Sequence, residues 1–96
     1  MPKYAAREMD LHTCPMVDPP PHVGGPILPP CCGTVLIGGW PAARCGDMAT
    51  CTGPPDTIAF GSLSVYIGGK PAARVGDETL HGGVIVKGCM NVVIGG

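Results

Sequence analysis

The chain has 96 residues, a formal net charge of −1 and a pI near 6.2; it carries no Lys/Arg cluster and no aromatic stacking platform, which excludes nucleic-acid binding. Leu, Ile, Val and Phe together supply only 21 residues against 16 Gly and 12 Pro, so the core is small and calls for a metal, disulfides or a partner to hold it. No apolar run approaches the roughly 18 residues of a spanning helix, and Met1-Pro2-Lys3-Tyr4 opens no signal-peptide core; folding in the cytoplasm without a signal peptide is expected.

From the N-terminus, Ala5-Ala6-Arg7-Glu8-Met9-Asp10 sets an Ala-Ala-Arg-x-x-Asp spacing that returns at Ala42–Asp47 and Ala72–Asp77. A Pro-rich stretch over 12–30 follows, holding His12, Cys14 and His22. Residues 35 to 51 (VLIGGWPAARCGDMATC) then reappear from 65 to 81 (VYIGGKPAARVGDETLH), with ten of seventeen positions identical. Such self-similarity marks a fold built from a repeated unit. The third Val-x-Ile-Gly-Gly, Val92 to Gly96, lacks the Pro-Ala-Ala-Arg half, and the N-terminal Ala-Ala-Arg supplies it. Three quasi-equivalent units are therefore expected in a closed ring in which the two termini meet, with Val92–Gly96 beside Tyr4–Asp10.

Val35-x-Ile37, Val65-x-Ile67 and Val92-x-Ile94 alternate with period 2 and each ends at a Gly pair, predicting short half-buried strands closed by turns. Ile58–Ser62 and Ile85–Cys89 predict a second short strand before each, so that every unit begins as a small hairpin. No eleven-residue window after position 12 combines freedom from Gly and Pro with a helical period, so the fold is all-β with long ordered loops. In Pro41-Ala42-Ala43-Arg44 and Pro71-Ala72-Ala73-Arg74, Pro fixes φ, the alanines permit close packing near an axis, and each Arg precedes an Asp by three, the spacing of an Arg–Asp turn clamp rather than of a ligand contact.

Six cysteines suit a disulfide framework only in an exported chain; Cys45 matches Val75 in the other copy and reads as a small buried hydrophobe. The residue four after each motif aspartate is Cys14, Cys51 or His81, and threefold symmetry brings these three together. With His12 and His22 on the same N-terminal stretch, five donors converge where zinc needs four. His12, His22, Cys51 and His81 form the expected shell. His12 and Cys14, two apart and on one side of an extended chain, are alternatives for the remaining position. A closed shell leaves no open coordination position for catalysis, and Ser62 and Ser64 lie away from the histidines, so no enzymatic activity is expected.

These paired motifs at fixed spacing, with His81-Gly82-Gly83-Val84-Ile85 and Gly61-Ser62-Leu63-Ser64-Val65, resemble the PAAR-repeat family over nearly the whole chain. The resemblance implies a small pointed cone of three short β-hairpin units around a pseudo-threefold axis, with one structural zinc near the vertex held by histidines and a cysteine. It also implies a non-enzymatic tip on the type VI secretion spike: one chain capping and sharpening a trimeric valine-glycine-repeat (VgrG) protein, helping to pierce a target membrane, linking secreted effectors to the spike and leaving the cell when the system fires. A single domain over 1–96 without a fused effector is expected. The alternative reading is a stand-alone zinc-binding or redox module, which would not bind a spike trimer.

Overall fold

The computed structural model describes residues 3–14, 24–29, 31–51 and 56–95. Among them there is no helix. Nine short strands follow in order: β1 (Lys3–Ala5), β2 (Gly24–Ile27), β3 (Cys32–Ile37), β4 (Trp40–Ala42), β5 (Met48–Cys51), β6 (Asp56–Thr57), β7 (Tyr66–Ile67), β8 (Lys70–Pro71) and β9 (Cys89–Ile94). One long dimension and two similar short ones, 37 × 25 × 23 Å, fit three units wrapped about an axis.

The three Ala-Ala-Arg segments meet at that axis. Ala6 N–H donates to Ala73 O (3.0 Å), Ala73 N–H to Ala43 O (3.0 Å) and Ala43 N–H to Ala6 O (3.1 Å), a closed cycle of main-chain bonds. A second cycle lies beside it, with Glu8, Cys45 and Val75 donating to Pro41 O, Pro71 O and Tyr4 O. All six alanines are 0% exposed. Backbones this close leave room for a methyl and little more, and the bonds satisfy polar groups that water cannot reach.

Each unit contributes one antiparallel hairpin. β3 pairs with β4 and β7 with β8, each reversing at a Gly pair with positive φ at both residues, Gly38-Gly39 and Gly68-Gly69, the requirement of a type I′ turn. β9 pairs with β1 in the same register, Lys3 opposite Ile94 and Ala5 opposite Cys89, so the third hairpin is assembled from the two ends of the chain. Ring closure through the termini thus holds. The hairpin partner, however, follows the Gly pair instead of preceding the Val-x-Ile strand: Ile58 and Ile85 make only isolated bridges, to Thr79 and His12. The I′ turn reverses the chain after Ile37 and Ile67, so the strand it returns is the Pro-Ala-Ala segment.

Apolar side chains stack in two layers. Ile37, Ile67 and Ile94 pack with Ala5, Ala42, Ala72, Cys32 and Cys89; Ile27, Ile58 and Ile85 pack with Ala6, Ala43 and Ala73. The broad end carries the hairpins, and the other end narrows toward the residues that follow each motif aspartate.

Each Arg-x-x-Asp forms the same clamp. The aspartate accepts the arginine main-chain N–H at 2.7–2.8 Å and its guanidinium through both oxygens, across a turn closed by Asp N–H to Arg O at 3.0–3.1 Å. The third residue of the turn has φ near +90° in two copies, where it is Gly46 and Gly76, and φ +73° in the first, where it is Met9. A side chain in that region costs on the order of 1 kcal/mol or more. Met9→Gly should therefore raise the melting temperature by several degrees, whereas Gly76→Met should lower it, measured by thermal unfolding followed by circular dichroism. Closure carries a second expectation: a permuted chain with Gly96 joined directly to Lys3 and new termini between Gly39 and Trp40 moves the break from one unit to the next and should fold cooperatively. An unfolded permutant would show that the three hairpins are not interchangeable.

Candidate metal centre

Beyond the second apolar layer the three units stop being alike. Two residues after each aspartate come His12, Ala49 and Thr79; facing them, two residues before each buried isoleucine, come Gly25, Asp56 and Gly83. The main-chain bonds stay equivalent, His12 N–H to Gly25 O (3.0 Å) and Thr79 N–H to Gly83 O (2.9 Å) matching the Ala49–Asp56 pairing of β5 and β6. Two residues further on, Cys14, Cys51 and His81 converge, their ligand atoms all within 4.8 Å of one another. Cys14 Sγ lies 3.0 Å from Cys51 Sγ and 3.6 Å from His81 Nδ1. Both cysteines are buried and His81 is partly open.

Two thiols and an imidazole, brought together from three units in one shielded place, suit a thiophilic ion that also accepts imidazole, and nothing in the donor set suits a hard cation. This group could hold a metal ion. His12 is engaged elsewhere: its Nδ1 donates to Gly25 O at 2.8 Å, and its Nε2 lies 3.2 Å from Asp56 Oδ2, with both side chains inaccessible to solvent. His22 lies outside the described residues.

Asp56 is the site residue that the sequence reading did not single out. Its Oδ1 accepts the N–H groups of Thr57 (2.8 Å) and His81 (3.0 Å). Burial works to raise its pKa, but the Thr79 side chain and the His81 and Thr57 N–H groups outweigh it and hold the carboxyl below the ordinary carboxylate value. The only signal in the sequence is a carboxylate at a register position where the other two units carry glycine.

The remaining cysteines have other surroundings. Cys45 donates to Ala59 O. Cys31, buried, donates to Leu28 O, and burial followed by the Asp47 and Glu8 charges pushes its pKa up to about 12. The neighbouring Cys32 is held below the ordinary thiol value, chiefly by the Thr34 side chain.

Residues 17–87 match the PAAR motif among known protein families. The chain belongs to the PAAR-motif family. Its membership associates it with the type VI secretion spike, in a family known as structural. No curated protein matches the chain in sequence.

Within this PAAR protein, close main-chain approach sets where Cys14 sits. A Cβ on Gly83 would overlap the Thr13 carbonyl and come 3.2 Å from Cys14 Cα. Gly83→Ala should therefore shift Cys14 and weaken metal retention at least tenfold, read by competition with a chromophoric chelator. Among the thiols, a thiolate-selective reagent at pH 8 should modify Cys32 before Cys31, because the raised pKa keeps Cys31 protonated there; peptide mapping would show the order.

Proposed function

We propose that the protein is the zinc-stapled tip of a type VI secretion spike, seated by its broad end on a VgrG trimer at one chain per trimer. The observation that carries the reading is the contrast between the two ends. At the broad end, the outward segments 33–36, 63–66 and 90–93 repeat around the axis and expose Leu36, Leu63, Tyr66, Met90 and Val93, with Leu63 85% and Met90 73% accessible. Scattered exposed apolar residues are ordinary, but Leu36, Tyr66 and Val93 occupy one position in all three units, with Leu63 and Met90 beside two of them where the remaining unit has Gly33, an arrangement that suits a partner with threefold symmetry. A trimeric β-helix ends in unpaired strand edges, and a quasi-threefold cap covers them.

At the narrow end, Cys14, Cys51 and His81 hold Zn(2+), the ion that thiolates and imidazole share most readily in structural sites. His22 supplies the fourth ligand in this reading. The described residues on either side of it lie together, a Cβ on Gly24 coming 3.0 Å from Cys14 N. Closed four-ligand coordination stabilises without catalysing. The rest of the reading, including piercing of a target membrane, linkage of effectors and passage out of the cell, rests on family membership, and the chain acts as a single domain over 1–96.

Purified protein should contain one zinc per chain by elemental analysis. Chelation should lower its melting temperature by tens of degrees, since structural zinc contributes about 10–16 kcal/mol of apparent binding energy in small domains. The ligands bind deprotonated, so retention should fade as pH drops below the free-imidazole value of about 6.5. Leu63→Asp combined with Met90→Asp should abolish co-purification with the spike trimer at unchanged zinc content. A metal-free, chelator-indifferent protein would overturn the zinc site, and trimer binding unaffected by the double substitution would overturn the docking face.

A further inference from the structure

The buried pair His12–Asp56 has no counterpart in the other two units. At the equivalent positions one unit carries Thr79 and Gly25, and the ring closes with Ala49 and Gly83, so the backbone register needs no ionisable group in this layer. Burying one is costly unless something specific offsets it. The interaction between the two side chains offsets little by hydrogen bonding: His12 Nε2 and Asp56 Oδ2 are 3.2 Å apart but misaligned, and neither atom has another hydrogen-bond partner among the described residues. The other carboxylate oxygen is fully employed. Asp56 Oδ1 accepts the main-chain N–H of His81 at 3.0 Å and lies 3.8 Å from His81 Nδ1, the ring atom that faces Cys14 Sγ at 3.6 Å.

On the reading that Cys14, Cys51 and His81 hold a metal, we infer that Asp56 is the positioning residue of that centre: its buried carboxylate fixes the His81 main chain and aims the imidazole at the two thiols, while His12, tied to Gly25 O, packs behind the carboxylate and is not a ligand. His81 needs such support because it lies within the turn closed by Gly82 N–H to Thr79 O, Gly82 having φ +85°, and a ligand on a turn is held less firmly than Cys51 at the end of β5. Outer partners of metal ligands tune affinity by about 10- to 100-fold. The fold supplies the anchor from a neighbouring unit, so the third ligand is set only when the ring is closed.

Cobalt(II) substitution of the full chain tests this, with affinity from chelator competition and geometry from the thiolate charge-transfer and ligand-field bands. The double variant His12→Ala, Asp56→Gly installs residue types the sister units already use at these positions, and it should fold but bind cobalt about 10- to 100-fold more weakly, with a weakened tetrahedral band. Asp56→Asn keeps an acceptor for the His81 N–H and should bind close to the wild-type level. His12→Ala alone, with Asp56 in place, should retain the wild-type spectrum. Wild-type affinity in the double variant, failure of Asn to rescue, or loss of the bands in a folded His12→Ala chain would each overturn the inference while leaving the metal reading intact. A wild-type chain that takes up no cobalt overturns both. If the double variant does not fold, the Asn and His12→Ala chains still decide the matter.

Discussion

The cycle of three main-chain hydrogen bonds among Ala6, Ala43 and Ala73 is the constraint from which the rest of the molecule is built. Each alanine donates to one neighbour and accepts from the other, so no unit can be displaced without leaving a buried N–H and a buried C=O unpaired. Contact at this distance forbids any side chain larger than a methyl, which is why the same dipeptide returns three times. The Arg–Asp clamps follow from it. They fix the turn by which each segment leaves the axis, and they pair each arginine with the carboxylate three residues on.

Linking three units in one chain separates scaffold from chemistry. A trimer of identical subunits could offer only three identical donors at its vertex, whereas here the symmetric bonding persists from the hairpins to the layer of His12, Ala49 and Thr79 while the side chains diverge. The main chain at Thr79 and Gly83 repeats that at His12 and Gly25 almost bond for bond. The side chains differ in size, charge and chemistry. Divergence grows toward the narrow end, because a side chain there has few neighbours to disappoint and a metal or a hydrogen bond to gain.

The parts of this fold that recur along the chain were legible in the sequence, and the parts that occur once were not. The four-residue offset from each aspartate brought Cys14, Cys51 and His81 into one register, since a repeat fixes equivalence without knowledge of the third dimension. Closure by Ala5–Asp10 was legible for the same reason. The direction of the hairpins was not, because Gly-rich turns flank the Val-x-Ile strand on both sides and only the positive φ values of Gly38-Gly39 and Gly68-Gly69 show which one reverses the chain. His12 and Cys14 share a face through period-2 alternation, but alternation gives the side and not the height. Two residues along a strand separate them by about 6.6 Å, enough to place His12 one layer deeper, against Gly25 and Asp56. Asp56 itself sits in Gly53-Pro54-Pro55-Asp56, which reads as a turn; its burial depends on the neighbouring unit, and no local pattern encodes that.

The tapering of the ring explains why the two ends rely on different interactions. Hydrophobic stabilisation scales with apolar area removed from water, and each step toward the vertex leaves less of it: the broad layers hold three isoleucines each, the next layer has only Ala49, Gly25 and Gly83 beside its polar groups, and the last has three donor atoms. A narrowing section cannot be held by an effect proportional to area. It can be held by interactions that concentrate energy in few atoms, which are charge-assisted hydrogen bonds and coordinate bonds. The buried carboxylate of Asp56 and the Cys14, Cys51 and His81 group therefore lie where the apolar core gives out, while the hairpin end, where the section is widest, keeps two full layers of isoleucine and alanine beneath it.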